Sequence, residues 1–247
     1  MKDLTKKERY EHILEIVVIV MLGITALLTA WASWIGSLHG GEQATSYTTS
    51  NNVASEGNSE YNAAVQSMMQ DMLLWNDVSD MQIDLLVAES EGDLDAYGKT
   101  ASKVFYKLND NLSDAMAEQI GWDWAYLEMD PAEAVADWMS KEEALVSPFS
   151  NQDFVDSYFV TANELLAQSA ELLKSGKTSN ENGDAYGLVT VIYSVVLFLL
   201  GIAGSFNSLT NKFVVIVISV AAFVIATVYM LTIPMPIEFS LASFFGG

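Results

Sequence analysis

Two apolar runs separated by six residues decide the fold of this chain: LVTVIYSVVLFLLGIAGSF (188–206) and FVVIVISVAAFVIATVYMLTI (213–233), joined by NSLTNK (207–212). Neither run contains a charged residue, and each supplies the roughly 20 apolar residues that a helix needs to cross a bilayer. The joining segment is long enough only for a tight turn, so the runs are predicted to form an antiparallel hairpin of membrane-spanning helices. Pro234 and Pro236 are predicted to end the second of these helices.

A third apolar run lies near the N-terminus. Residues 13–38 are almost purely apolar, and no residue from Ile16 to Ile35 is ionisable. The alternative is a cleaved signal peptide, because Ala30-Trp-Ala32 resembles the small-residue site at which such peptides are cut. The apolar run is long for a signal peptide, so an uncleaved membrane anchor is favoured.

The charge of the chain is equally segregated. The net charge of the 247 residues is −21, and the segment from Glu42 to Asp184 holds 27 acidic and six basic residues, whereas the remainder is balanced. Such a surface repels nucleic acid and anionic headgroups. We therefore predict no nucleic-acid partner, and only weak cation binding at the acidic surface.

The distribution of basic residues predicts the orientation. The first twelve residues hold Lys2, Lys6, Lys7 and Arg9. The hairpin turn adds Lys212, while the opposite ends of the spans are flanked only by Lys174 and Lys177. Loops rich in lysine and arginine stay in the cytoplasm, so the N-terminus and the turn are predicted inside, with the acidic segment outside a cytoplasmic membrane.

The sequence of the acidic segment predicts helices, and the alternation of apolar and polar residues that is typical of strands is not evident. Predicted helices cover 61–86, 93–119, 131–145 and 151–174, the third capped by Asp130 with Pro131 in its first turn. In the first of them, an apolar stripe at three- and four-residue steps is expected to face the core. That stripe consists of Tyr61, Val65, Met68, Met72, Trp75 and Leu86.

Two glycine-containing stretches are the candidate helix breaks between the spans and this segment. They are Gly40-Gly41, across which the helix continues or ends with equal expectation, and residues 175–183. Asp184 is then predicted to cap the second span.

The predicted fold class is an all-α membrane protein, with three transmembrane helices plus an extracytoplasmic antiparallel helical bundle. The predicted boundaries are a basic leader (1–12), helix 1 (13–38), the acidic domain (39–183), helix 2 (184–206), a cytoplasmic turn (207–212), helix 3 (213–233) and an outer tail (234–247).

Catalytic and metal-binding motifs are not evident in the sequence. There is no cysteine and no paired-histidine motif, nucleophile elbow or phosphate-binding loop. The stretch from Asp93 to Gly98 imitates the start of a calcium loop, but Val104 stands where a glutamate ligand belongs, so Asp93 is interpreted as a helix cap. We predict no catalytic residue, no cofactor and no metal site, and hence a protein that is not an enzyme.

Small and hydroxyl side chains mark faces of the spans. Thr25, Thr29 and Ser33 follow one another at four-residue steps on the first span, and Gly201 and Ser205 do so on the second. Such residues allow close helix packing between copies. The alternative is that they line a pore built by several copies.

Four stretches resemble an uncharacterised group of prokaryotic three-span membrane proteins catalogued only as a domain of unknown function. They are Thr29-Ala-Trp-Ala-Ser-Trp34, Gly40-Gly-Glu-Gln-Ala44, Gly183-Asp-Ala-Tyr-Gly-Leu-Val-Thr-Val191 and Phe198-Leu-Leu-Gly-Ile-Ala203. The resemblance implies a bacterial or archaeal cytoplasmic membrane. It implies no activity and no functional residues.

Two classes of function follow. The first is a non-catalytic, oligomeric accessory, scaffold or sensing subunit whose acidic outer domain contacts partners within a membrane complex. The second is a homo-oligomeric cation-selective channel with an acidic outer vestibule. The first class is favoured, because helix packing accounts for the small and hydroxyl residues of the spans without a further assumption.

Overall fold

The computed structural model describes residues 6–206 and 208–236, with side chains from Arg9 onward. Within these residues the chain forms helices and turns, and no strand occurs there. The α-helices are α1 (Lys6–Glu91), α2 (Leu94–Asn111), α3 (Asp114–Gln119), α4 (Pro131–Met139), α5 (Gln152–Ser157), α6 (Val160–Ala203) and α7 (Leu209–Thr232). Short 3-10 helices cover Trp124–Glu128, Glu143–Leu145 and Pro148–Ser150. The predicted all-helical class is confirmed.

Three of these helices are long and apolar enough to cross a membrane. They are α1, α6 and α7, as the sequence predicted. The second span ends at Ala203 rather than 206, and the third begins at Leu209 rather than 213. These two predicted ends lie within four residues of the observed ones, whereas α1 and α6 extend far beyond the predicted outer ends of helix 1 (38) and helix 2 (184). The protein is a membrane protein with three candidate spans. Residues 6–12 of the predicted leader (1–12) already belong to α1, whereas of the predicted tail (234–247) only residues 234–236 are among the described residues.

Neither of the two candidate helix breaks occurs. Helix α1 passes through Gly40 and Gly41 without interruption, and α6 passes through the whole of 175–183. Asp184 is therefore inside α6 and caps nothing, which corrects the prediction. Glycine weakens a helix by only about 1 kcal/mol, so tertiary packing readily outweighs its preference for turns.

Contacts divide the chain into two compact units. The membrane unit consists of residues 1–51 and 169–247, and the acidic unit consists of residues 52–168. The acidic unit contains 23 acidic and four basic residues, so it carries most of the negative charge of the chain.

The interior of the membrane unit is built from side chains of α1, α6 and α7. Ile35, Tyr186, Tyr193 and Leu200 are fully buried there. Large apolar side chains on the outside stay exposed, for example Leu231 at 75%. Apolar residues around the outside of a helix cluster are what a bilayer requires.

The core of the acidic unit is formed by α1, α2, α3 and α4 around Trp138, which is fully buried. Within the predicted second helix (93–119), Val104, Leu108 and Met116 are buried and Leu112 is partly buried. The helix nevertheless breaks at residue 112, whose backbone is extended, so α2 and α3 replace the single predicted helix.

The caps predicted in this unit are confirmed. The Asp93 carboxylate accepts from the amide of Ala96, and the Asp130 carboxylate accepts from the amide of Ala132, with Pro131 in the first turn of α4. Helix α4 ends at Met139 instead of 145. The predicted fourth helix is also divided in two. Helix α5 has only about one and a half turns and ends at Ser157, and α6 begins at Val160.

The buried face of α1 in the acidic unit differs from the predicted one. Side chains that meet the core are Leu74, Trp75, Val78 and Leu85. Of the predicted stripe only Trp75 is buried, whereas Tyr61, Met72 and Leu86 are 45%, 40% and 52% exposed. Half of the stripe that the sequence assigned to the core is therefore exposed, and Met72 and Leu86 belong to an exposed apolar face of α1.

Candidate functional site

In the membrane unit, α1 and α6 are in close contact beyond the apolar cores of the spans. A Cβ atom placed on Gly36 would lie 3.3 Å from the Cβ of Tyr186 and 3.6 Å from the carbonyl oxygen of Gly183. At Gly176 an added Cβ would lie 2.5 Å from the ring of Tyr47. Glycine is therefore required at Gly176 for the two helices to approach as they do.

A reciprocal pair of hydrogen bonds holds the far end of this contact. The Ser50 hydroxyl donates to the carbonyl oxygen of Ser169 at 2.8 Å, and the Ser169 hydroxyl donates to the carbonyl oxygen of Ser50 at 2.9 Å. Both serines are buried. We call residues 36–50 and 169–183 the helix pair, and at a rise of 1.5 Å per residue it is about 20 Å long.

His39 lies at the other end of the helix pair, where the chain following α7 also arrives. The imidazole is 1% exposed and stacks on Tyr186 with ring centroids 5.8 Å apart. Its Nε2 lies 3.1 Å from the carbonyl oxygen of Pro234. A carbonyl can only accept, so this hydrogen bond requires a proton on Nε2.

The other imidazole nitrogen of His39 faces a carboxylate. Nδ1 lies 3.4 Å from Oε2 of Glu42, which also accepts a hydrogen bond from the Ser179 hydroxyl at 3.3 Å. A cavity of about 350 Å³ opens beside this group, with Lys174 and Asn182 also in its wall. The arrangement ties α1, α6 and the segment after α7 together through polar contacts.

The three hydroxyl residues predicted on the first span do not share one environment. Thr25 is fully buried, and its hydroxyl has no hydrogen-bond partner among the residues that the structure describes. The Thr29 hydroxyl donates to the carbonyl oxygen of Thr25 at 2.7 Å, while Ser33 is exposed. Each four-residue step turns a helix by about 40°, so the stripe rotates from the interior of one copy to its surface.

The two small residues predicted on the second span are both exposed. A Cβ atom on Gly201 would meet nothing within 4 Å, and Ser205 follows the end of α6 at the surface. Packing of Gly201 and Ser205 between copies stays a prediction, as does a pore lining.

Two polar contacts within the membrane unit were not predicted. Lys212 is 8% exposed, and its ammonium lies 3.5 Å from a carboxylate oxygen of Glu15. The hydroxyls of Tyr193 and Thr227 lie 2.9 Å apart. In the sequence, Glu15 stands at the edge of an apolar run and Lys212 in the predicted turn, and this is the signal that both lie near one membrane surface.

The acidic unit contains one buried carboxylate, Asp71, which is 4% exposed. It accepts hydrogen bonds from the Tyr158 hydroxyl at 2.6 Å and from the Ser113 hydroxyl at 2.9 Å. Burial, followed by the hydrogen bond to Asp71, raises the pKa of the Tyr158 phenol, so the phenol stays protonated and donating. Asp71 thus joins three separate segments of this unit.

The acidic unit also presents two surface features. One is a cavity of about 330 Å³ whose wall includes Gln119, Glu142, Glu143 and Asn151. The other is the exposed apolar face of α1 already noted, which includes Ile83 at 60% exposure. Among the described residues, no three histidine, aspartate or glutamate side chains are placed to hold a metal ion.

Comparisons of the chain with protein-family models, with curated proteins and with solved structures found no match. The resemblance to a prokaryotic three-span group therefore stays a prediction.

Proposed function

We propose that this chain is a non-catalytic accessory, scaffold or sensing subunit of a cytoplasmic membrane, with the acidic unit outside as its contact surface. The observation that carries the proposal is the helix pair. Two helices that contain spans continue past them, packed through Gly36 and Gly176 and locked by the hydrogen bonds between Ser50 and Ser169. Such a connection between two helices is suited to passing on a displacement along them.

The charge of the acidic unit supports a role in recognition. Its 23 acidic and four basic residues create a strongly negative field, which accelerates encounter with a basic partner and disfavours acidic ones. The orientation rests on the basic residues near the N-terminus and at Lys212.

The proposal predicts that partner binding depends on residues 52–168. Because Ser50 and Ser169 are hydrogen-bonded to each other, a short Gly-Ser linker can replace the acidic unit without opening the helix pair. After cross-linking in intact cells and purification, the full chain is expected to retain a partner protein that the linker variant loses. Identical sets of cross-linked proteins from the two chains would contradict the proposal.

A planar-bilayer recording separates this proposal from a cation channel. The purified chain is expected to produce no current across lipids and voltages. Thr25 is buried within one copy while Ser33 is exposed, so the three hydroxyl residues do not form one polar face that could line a pore. Reproducible cation-selective currents that disappear in a Thr29→Leu variant, and whose selectivity falls as salt rises, would establish the channel instead.

A further inference from the structure

The exposed apolar face of α1 in the acidic unit follows a heptad pattern. Its residues are separated by alternating steps of three and four: Met69, Met72, Asn76, Ser79, Ile83 and Leu86. These steps correspond to successive a and d positions of a coiled coil, with Met69, Asn76 and Ile83 at a. We call these six residues the seam.

The seam is not used by its own copy. Met69, Met72, Ile83 and Leu86 are between 40% and 60% exposed. The core of the acidic unit is met by the opposite side of α1, through residues such as Val78 and Leu85, which are fully buried. One helix therefore has two apolar faces, and among the described residues only one of them has a partner.

We propose that the seam pairs with the seam of a second copy of this chain, in a parallel two-stranded coiled coil. Copies inserted in one membrane share one topology, so their α1 helices run in the same sense. This inference rests on the proposed function, an oligomeric membrane subunit, and names the surface through which two copies meet.

The placement of charge favours a second copy over an unlike partner. None of the seam residues is charged, although the acidic unit as a whole would repel another copy. In this register Asp77, Asp84 and Glu91 fall at b positions, which point away from the partner helix. Two acidic residues flank the seam, Asp80 at an e position and Glu89 at a g position, and in a parallel dimer they would face Trp75 and Leu94 of the other copy. Repulsive pairs of acidic residues across the dimer are thus avoided.

Asn76 supplies the specificity. An asparagine at a single a position lowers the stability of a coiled coil but fixes its register, because its amide bonds to the same amide in the partner. Asn76 is exposed in one copy and lies between the apolar pairs Met69–Met72 and Ile83–Leu86. A symmetric parallel dimer places the two Asn76 side chains opposite each other.

Disulfide formation in cell membranes tests the seam, because the chain contains no cysteine. Met69→Cys places a thiol at an a position, and Gln70→Cys places one on the adjacent, equally accessible b position without changing the charge. Under mild oxidation we expect about tenfold more covalent dimer from Met69→Cys than from Gln70→Cys. Adding Ile83→Asp is expected to abolish the dimer, whereas Ala63→Asp, which adds the same charge off the seam, is expected to preserve it.

Three results would overturn the inference. They are equal dimer from the two cysteine variants, a dimer that survives Ile83→Asp, and an adduct whose mass differs from twice that of the chain, which would assign the face to another protein. The cross-link requires neither a partner protein nor a current, so its failure would leave the proposed function standing.

Discussion

A Trp138→Ala variant is expected to lose about 3–5 kcal/mol of the unfolding free energy of the acidic unit. Trp138 is fully buried, contacts Trp122 at a ring-centroid distance of 5.6 Å, and donates from Nε1 to the carbonyl oxygen of Ile120 at 2.8 Å. The truncation leaves a cavity and removes the donor of a buried carbonyl, and both effects destabilise. With an expected total stability of about 5–15 kcal/mol, such a loss brings the unit close to unfolding.

The measurement is a urea titration of the full chain in detergent, in which unfolding is monitored by circular dichroism. A Trp124→Ala variant is the matched control, because Trp124 belongs to the same unit but is 39% exposed. We expect the control variant to lose about 0.5 kcal/mol or less of unfolding free energy, as most surface substitutions do. Similar midpoints for the two variants would place the core of the acidic unit elsewhere than around Trp138.

The spans could be predicted from the sequence because a run of about 20 uncharged apolar residues is best accommodated as a helix that crosses a bilayer. Their ends could be predicted less well. Apolar composition marks where lipid begins, whereas α6 ends at Ala203 and α7 begins at Leu209 through local backbone geometry in a turn.

The continuity of α6 could not be predicted, because the deciding contacts are distant in sequence. Gly176 and Gly183 look like helix breakers until Tyr47 and Gly36 are placed against them. The same holds for His39, whose hydrogen-bond partner Pro234 is 195 residues away. Nothing local to His39 distinguishes it from a histidine exposed at a membrane surface.

The choice of the buried face of α1 failed for a different reason. Its seam and its core-facing side both place apolar residues at three- and four-residue steps, so periodicity alone cannot separate them. The stripe chosen from the sequence mixed Trp75, which faces the core, with Met72 and Leu86, which face outward. The two faces become distinct once α2 and α4 cover one of them.

The orientation of the chain is the part of the account that a single experiment tests most directly. Ser90 is exposed near the end of α1, and Ser208 is exposed at the hairpin turn. Because the chain contains no cysteine, each position can carry the single thiol of a variant. The two serine-to-cysteine changes are chemically identical and report opposite sides of the membrane.

Intact cells producing Ser90→Cys or Ser208→Cys are treated with a membrane-impermeant maleimide, and lysed cells provide the total. We expect Ser90→Cys to be labelled in intact cells and Ser208→Cys only after lysis, because segments rich in lysine and arginine tend to stay in the cytoplasm and the N-terminus and the turn at Lys212 carry such residues. Labelling of Ser208→Cys in intact cells, with Ser90→Cys labelled only after lysis, would contradict the placement of the acidic unit outside the membrane.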